Sequence, residues 1–311
     1  MNLVKKVLVI VGPTAVGKTA LSIEFAKKFN GEIISGDSMQ VYRKLNIGTA
    51  KATNEEQAGI PHYLLDCREI DENYSVADFQ KEGREAIEDI SNRGKLPIVV
   101  GGTGLYIQAL LYDYQLGSQD ETTETREYYE VLAEEIGNKK LWELLQQKDP
   151  LAAKAIHFNN KVKMIRALEI FDKTGRSILT PKEQPKKLYD YFLVGLETDR
   201  QLLYQRINQR VDNMLQEGIL TEAELLYKTK NAQSVQGIGY KEFFPYFENK
   251  ETLEQAVDKV KQNSRRYAKR QLTWFKNRLQ ASWWDLVQDS SSKLQLEQEV
   301  KKWLDTSEGE R

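Results

Sequence analysis

Short apolar runs alternate with helical stripes through the first hundred residues. Segments 7–11 (VLVIV), 32–35 (EIIS), 63–66 (YLLD) and 97–100 (PIVV) are brief and mostly apolar, the pattern of parallel strands covered on both faces. Between them, 18–29 and 76–92 carry apolar residues at helical spacing; Leu21, Phe25 and Phe29 fall on one stripe. Strand–helix–strand repetition predicts a doubly wound α/β core. The run 191–196 (YFLVGL) predicts a late strand in the same sheet. Between about 119 and 174 the pattern is helical without a convincing strand, as in a helical insertion that returns to the core near Asp190. Beyond Thr198 the pattern is helical to the end.

Composition narrows the classes. The chain has 311 residues, 40% hydrophobic and 29% charged, enough for about two domains with a full core. No stretch approaches the roughly eighteen apolar residues of a membrane span. Lys5 and Lys6 precede only five apolar residues, too few for a secretory signal, so a cytoplasmic chain is expected. A single cysteine, Cys67, excludes an intrachain disulfide framework, and His62 and His157 alone make a histidine-built metal site improbable. The formal net charge of −1 argues, taken by itself, against a nucleic-acid partner.

Chemistry enters at Gly12-Pro13-Thr14-Ala15-Val16-Gly17-Lys18-Thr19, a complete G-x-x-x-x-G-K-[ST] loop between a predicted strand and a predicted helix. Its backbone N–H groups and the helix N-terminus suit a phosphate group. Lys18 can neutralise the outer phosphate, and the Thr19 hydroxyl is placed to ligate Mg²⁺. The expected fold is therefore α/β, a P-loop NTPase-like parallel sheet core flanked by helices. Residues 1–117 and 187–311 would form that core with its C-terminal helices, and 118–186 the helical insertion domain. The loop does not say which molecule carries the diphosphate: nucleotide kinases, NTPases and prenyl-diphosphate transferases all remain open.

Ligands of an open α/β sheet sit beyond the carboxyl ends of its strands. Two other strand ends, Gly36-Asp37-Ser38-Met39-Gln40 and Gly101-Gly102-Thr103-Gly104, should therefore face the phosphate loop. Asp37 can act as a general base, hold a metal-bound water or cap a turn. Thr103 can cap the next helix or bond a phosphate oxygen. Asp66, at the end of YLLD, is a candidate for a Walker-B-like metal ligand.

Charge is unevenly spread. Segment 261–278, KQNSRRYAKRQLTWFKNR, holds seven bases and no acid. At helical spacing, 257, 260, 264, 267, 268, 271 and 275 form one stripe. Arg265, Arg266, Lys269, Arg270 and Lys276 fall opposite. A basic face without acids, with Trp274 at its flank, suits phosphate contacts and base stacking. Segment 157–187 adds eight bases against three acids, whereas 119–135 has seven acids and one base.

Together, GPTAVGKT, SGDSMQVYRKLNIGTAK, GGTGLY, VKMIRALEIF, GIGYKE and RRYAKRQLTWF resemble the bacterial tRNA dimethylallyltransferases, in order and over most of the chain. The resemblance implies transfer of a dimethylallyl group from its diphosphate to N6 of the adenosine 3′ of the anticodon, with Mg²⁺ assistance and release of pyrophosphate. Gly12 to Thr19 would hold the diphosphate. Asp37 would accept the N6 proton, Thr103 would bond a phosphate oxygen, and Lys18 and Arg210 would neutralise the leaving group, with Arg206 one turn away. The target base would be extruded into a pocket lined by Asp37, Ser38, Met39 and Gln40. Lys269, Arg270, Gln271, Trp274 and Lys276, with Gly237, Ile238, Gly239, Tyr240 and Lys241, would grip the anticodon stem-loop. Val162, Lys163, Met164, Ile165 and Arg166 would approach it from the insertion. Where many relatives read close to IHPND and then an arginine-rich turn, this chain has Ile156-His157-Phe158-Asn159-Asn160, then Lys161 and Lys163. No membrane partner is expected, and a monomer is the default.

Overall fold

In β1 (Lys6–Val11), alternate side chains serve two different cores. Val7, Val9 and Val11 join one buried cluster, while Leu8 and Ile10 join another on the opposite face. That two-sided burial is why the strand reads as an unbroken apolar run. The computed structural model describes residues 4–114, 123–180, 185–229 and 232–306.

The chain continues through α1 (Lys18–Lys28), β2 (Gly31–Ser35), α2 (Asn54–Gln57), β3 (His62–Tyr63), α3 (Val76–Asn92), β4 (Leu96–Gly101) and α4 (Gly104–Leu111). A Ser75–Asp78 capping box starts α3. After the insertion come β5 (Asp190–Leu196), α8 (Arg200–Glu217), α9 (Ile219–Lys228), α10 (Phe244–Phe247), α11 (Leu253–Arg278), β6 (Ser282–Trp284) and α12 (Ser292–Asp305). The insertion between α4 and β5 consists of α5 (Thr123–Lys148), α6 (Pro150–Ala155) and α7 (Lys161–Thr174). All strand pairs are parallel, in the order β3-β2-β4-β1-β5-β6. The sheet thus has β1 near its middle, with β4 between it and β2, and all carboxyl ends on one edge.

Two sequence expectations are corrected. The third strand does not run to Asp66: it ends at Tyr63, because Leu64 and Asp66 adopt φ of 61° and 50°, outside the extended region. Nor is the chain helical throughout after Thr198, since β6 pairs with β5. Three residues are too few to show a strand period, and the pairing rests on contact with a partner: the Trp283 ring lies against Gly195.

Two compact units emerge, Met1–Tyr114 with Lys186–Arg311, and Gln115–Pro185. The second has its own core, which includes Tyr129, Leu141, Leu145, Met164 and Leu168. Asp149 caps α6, Asn160 caps α7, and α5 is interrupted at Gly137. The boundary read at 117/118 lies outside the described residues, as do Asp120, Glu121, Lys182 and Glu183. Among the described residues, no helix is long and apolar enough to cross a membrane.

Candidate active site

The carboxyl ends of β1, β2 and β4 carry the three loops singled out in the sequence. Gly17, at φ +93°, is the N-cap of α1 and offers no side chain to cap it, which leaves the first-turn N–H groups to an anion. Lys18 Nζ donates to Pro13 O at 2.6 Å. Burial, with the Arg210 guanidinium adding to it, lowers the Lys18 pKa to about 8, against the opposing pull of the Asp37 carboxylate. Burial also lowers the pKa of Arg210, again opposed by Asp37. Two cations and one carboxylate therefore feel each other across a single space. Arg206, one turn before Arg210 on α8, donates from Nε to Ala15 O at 2.8 Å, so both arginines attend the phosphate loop.

The loops after β2 and β4 are tied together. Gly36 N donates to Val100 O at 2.7 Å, and Ser38 N donates to Thr103 Oγ1 at 3.1 Å. Thr103 precedes α4 without capping it through its side chain; its Oγ1 accepts from the Asp37 loop instead. Asp37 Oδ1 accepts from Met39 N at 2.9 Å, stabilising the turn, and the residue also lines the cavity. Gln40 is held by Ser35 Oγ at 2.9 Å and itself donates to Thr49 O at 3.2 Å.

These groups surround a cavity of about 480 Å³ that Thr14, Lys18, Thr19, Asp37, Ser38, Met39, Gln40 and Arg210 all line. Gly237, Ile238, Gly239, Tyr240 and Lys241 line it too, as do Tyr267, Arg270 and Gln271 of α11. The sequence places Tyr267 on the helix's inward stripe and gives it no further role. Burial raises its pKa to about 12, with Asp37 adding to the effect. Its signal was a polar aromatic on a buried face, a position where a phenol needs polar neighbours.

Several residues read as RNA contacts have other duties. Gln271 is 5% exposed: its Oε1 accepts from Thr14 N at 3.1 Å and its Nε2 donates to Gly102 O at 3.0 Å. It joins the phosphate loop to the end of β4 and is not on the surface. The Trp274 ring packs against Gly104, where a Cβ would come within 2.2 Å of it. That ring is thus half-buried packing on the loop, not an open stacking platform. Tyr240 is fully buried. In the insertion, Met164 and Ile165 belong to the unit's own core, while Val162, Lys163 and Arg166 are exposed. On α11, Lys276 pairs with Glu197 at 2.5 Å, Lys261 pairs with Asp212 at 2.6 Å, and Arg265 donates to Asn208 Oδ1 at 2.6 Å. Arg266, Lys269 and Arg270 are exposed, with Arg270 also over the Tyr267 ring. Asp66 is exposed and paired with Lys51 at 2.6 Å, which removes it from the phosphate site.

Fold and cavity together define a phosphate-loop α/β protein whose loop lysine shares a cavity with a carboxylate. The profile of the family described as IPP transferase matches residues 40–278. The chain is 68% identical to a tRNA dimethylallyltransferase of Enterococcus faecalis (strain ATCC 700802 / V583), over 98% of this chain and 100% of that one. It is 53% identical to one of Bacillus cereus (strain ATCC 10987 / NRS 248), over 91% of this chain and 90% of the relative. Among solved structures, the full-length tRNA isopentenylpyrophosphate transferase from Bacillus halodurans is similar, with a TM-score of 0.73 and 45% identity, covering 96% of this chain and 97% of that one. A eukaryotic dimethylallyltransferase acting on tRNA gives a TM-score of 0.79 at 33% identity, covering 96% and 80%. The chain belongs to the IPP transferase family.

Proposed function

We propose that this protein is a tRNA dimethylallyltransferase, moving the dimethylallyl group from dimethylallyl diphosphate to N6 of the adenosine 3′-adjacent to the anticodon. The observation that carries the reading is the meeting of Asp37, Lys18, Thr19 and Arg210 around one cavity, with Thr103 tied to the Asp37 loop through Ser38 and Arg270 of the acid-free segment of α11 lining the cavity as well. A mononucleotide acceptor would have no use for the exposed cations Arg266, Lys269 and Arg270, whereas an anticodon stem-loop presents phosphates to them. The protein acts as a monomer in the cytoplasm.

Adenine N6 is a weak nucleophile because its lone pair is delocalised into the ring. Asp37 orients the amine and takes its proton as the N6–C1 bond forms. The C1–O bond breaks, and its electron pair leaves on pyrophosphate. The loop amides, Lys18 and Arg210 stabilise that charge, and the Thr103 hydroxyl bonds a phosphate oxygen near the breaking bond. The target base must leave its stack to reach Asp37, and the 37–40 loop receives it.

Among the described residues, no cluster of three His, Cys, Asp or Glu side chains gathers to hold a metal. The donor set that remains is the exposed Thr19 hydroxyl beside Lys18, which fits Mg²⁺, an ion usually held by one or two protein oxygens plus substrate phosphates. Bound there, Mg²⁺ would supply charge neutralisation on the leaving pyrophosphate.

Incubation with dimethylallyl diphosphate and an adenosine-bearing anticodon stem-loop should yield N6-prenyladenosine in the RNA, detected by mass spectrometry of the digested product. Prenylation of free AMP in place of RNA would sink the reading, and phosphoryl transfer from ATP would make the protein a kinase.

A further inference from the structure

A second opening flanks the phosphate loop. It is a groove of about 850 Å³, lined among others by Thr19, Ile23, Asn46, Ile47 and Arg210. Lys18, Thr19 and Arg210 face both this groove and the Asp37 cavity. Segment 46–51 (NIGTAK) stands between them, with Gly48 and Thr49 on the cavity side and Asn46 and Ile47 on the groove side. Neither the general base nor a diphosphate contact comes from this segment.

One carboxylate from α9 holds its backbone. Glu222, 8% exposed, accepts from Asn46 N and Ile47 N, each at 2.8 Å, and from Gly48 N at 3.1 Å. The Tyr240 phenol donates to the same carboxylate at 3.0 Å. Four donors fill the roughly four lone-pair sites an ionised carboxylate offers. Packing reinforces the bonds, because a Cβ on Gly48 would stand 2.5 Å from the Tyr240 ring. The far end of the segment is pinned by Lys51, whose Nζ donates to Tyr42 O at 2.8 Å and Asp66 Oδ1 at 2.6 Å. The GIGYKE and NIGTAK stretches therefore meet at Glu222, a residue that belongs to neither.

We propose that Glu222 is a positioning residue: it fixes the wall between the two openings and thereby limits the length of the alkyl diphosphate that can be used. The inference rests on the reading of the Asp37 cavity and phosphate loop as acceptor and donor sites. A donor held by its diphosphate at Lys18 and Arg210 must place its alkyl chain against one side of this wall. Carboxylate-to-amide bonds at three successive residues leave the wall no freedom to yield to a longer chain.

The test uses the full chain and compares kcat/KM for dimethylallyl and geranyl diphosphate on one anticodon stem-loop RNA, with hydrogen exchange of the 46–48 amides measured alongside. Glu222→Gln keeps the size but replaces an acceptor oxygen with an NH₂ group that cannot accept from the backbone. It should speed exchange at 46–48 and narrow the preference for the shorter donor by about tenfold, the scale of steric selection in an apolar pocket. Tyr240→Phe, which removes one donor and keeps the ring, should narrow it less. If both donors lose activity equally, Glu222 supports only the fold and the proposal is overturned; unchanged amide exchange overturns it as well. Should Glu222→Gln fail to fold, an unchanged donor ratio in Tyr240→Phe has the same meaning. A wild-type protein that prenylates no RNA with either donor would instead refute the functional reading, and would do so before any variant is made.

Discussion

Lys18 sits where burial and a neighbouring guanidinium oppose its charge, and the consequence is a pH dependence with a definite sign. In the free protein its proton leaves as pH rises through about 8. A bound diphosphate favours the protonated form and raises that value. Anion affinity should therefore be full below about pH 8 and weaken above it, by up to about tenfold per pH unit until the bound-state value is reached. Titration of pyrophosphate binding by calorimetry from pH 7 to 9.5 measures this, and Lys18→Arg, which stays charged, should flatten the profile. For folding the sign is complementary. An unfolded lysine holds its proton to about 10.5, so this group costs stability below pH 8 and the cost fades between 8 and 10.5. At Asp37, replacement by Ala should lower kcat by roughly 10²–10⁴-fold, the range of general-base catalysis, while RNA affinity measured by filter binding is retained. Lost RNA binding with normal turnover would make Asp37 a turn cap alone. Asp37 was legible because strand ends point to ligands, whereas Gln271 was not. The polar residue on an inward stripe has meaning only once Thr14 and Gly102, far away in sequence, are beside it.

At the scale of elements, α11 divides its labour by face. Its inner side meets the loops through Gln271 and Trp274, which explains the glycines at 102 and 104: a side chain at either would collide with the helix. Its outer side leaves Arg266, Lys269 and Arg270 exposed. Replacing Lys269 and Arg270 together by Ala should make the salt dependence of stem-loop affinity shallower by about 1.4 to 1.8 in the log–log slope, from roughly 0.7–0.9 per phosphate contact. An unchanged slope would remove this face from the interface. The helical period turned Arg266, Lys269 and Arg270 outward as they stand, but Arg265 is half-buried and bonded to Asn208, and the period could not say which bases are already neutralised. Glu197 and Asp212 reach Lys276 and Lys261 from other elements. The same limit explains Met164 and Ile165. They stand in a basic stretch, yet the spacing that turns Val162, Lys163 and Arg166 outward turns these two into a helical core. Met164→Ala should destabilise that unit by about 2–5 kcal/mol, as a cavity in a packed core does. Hydrogen exchange should show the loss within α5–α7, with the β1 amides still protected.

For the whole molecule, the net charge of −1 is the sum of surfaces with opposite sign. It does not exclude an RNA partner, because a phosphate backbone meets local charge and is screened from the rest over about 8–10 Å. The amino-acid sequence alone determined the phosphate loop, the α/β class and the four longer strands, because each depends on neighbours in the chain: a fixed loop spacing, a β-branched run, a helical stripe. It could not determine the three-residue β6, the true length of β3, the inward duty of Gln271 and Trp274, or the grip of Glu222 on the 46–48 backbone. Those depend on groups more than eighty residues apart, or on a backbone angle set by packing. Only the closed tertiary structure brings such groups within hydrogen-bond distance, and burial then decides which polar atoms must find partners.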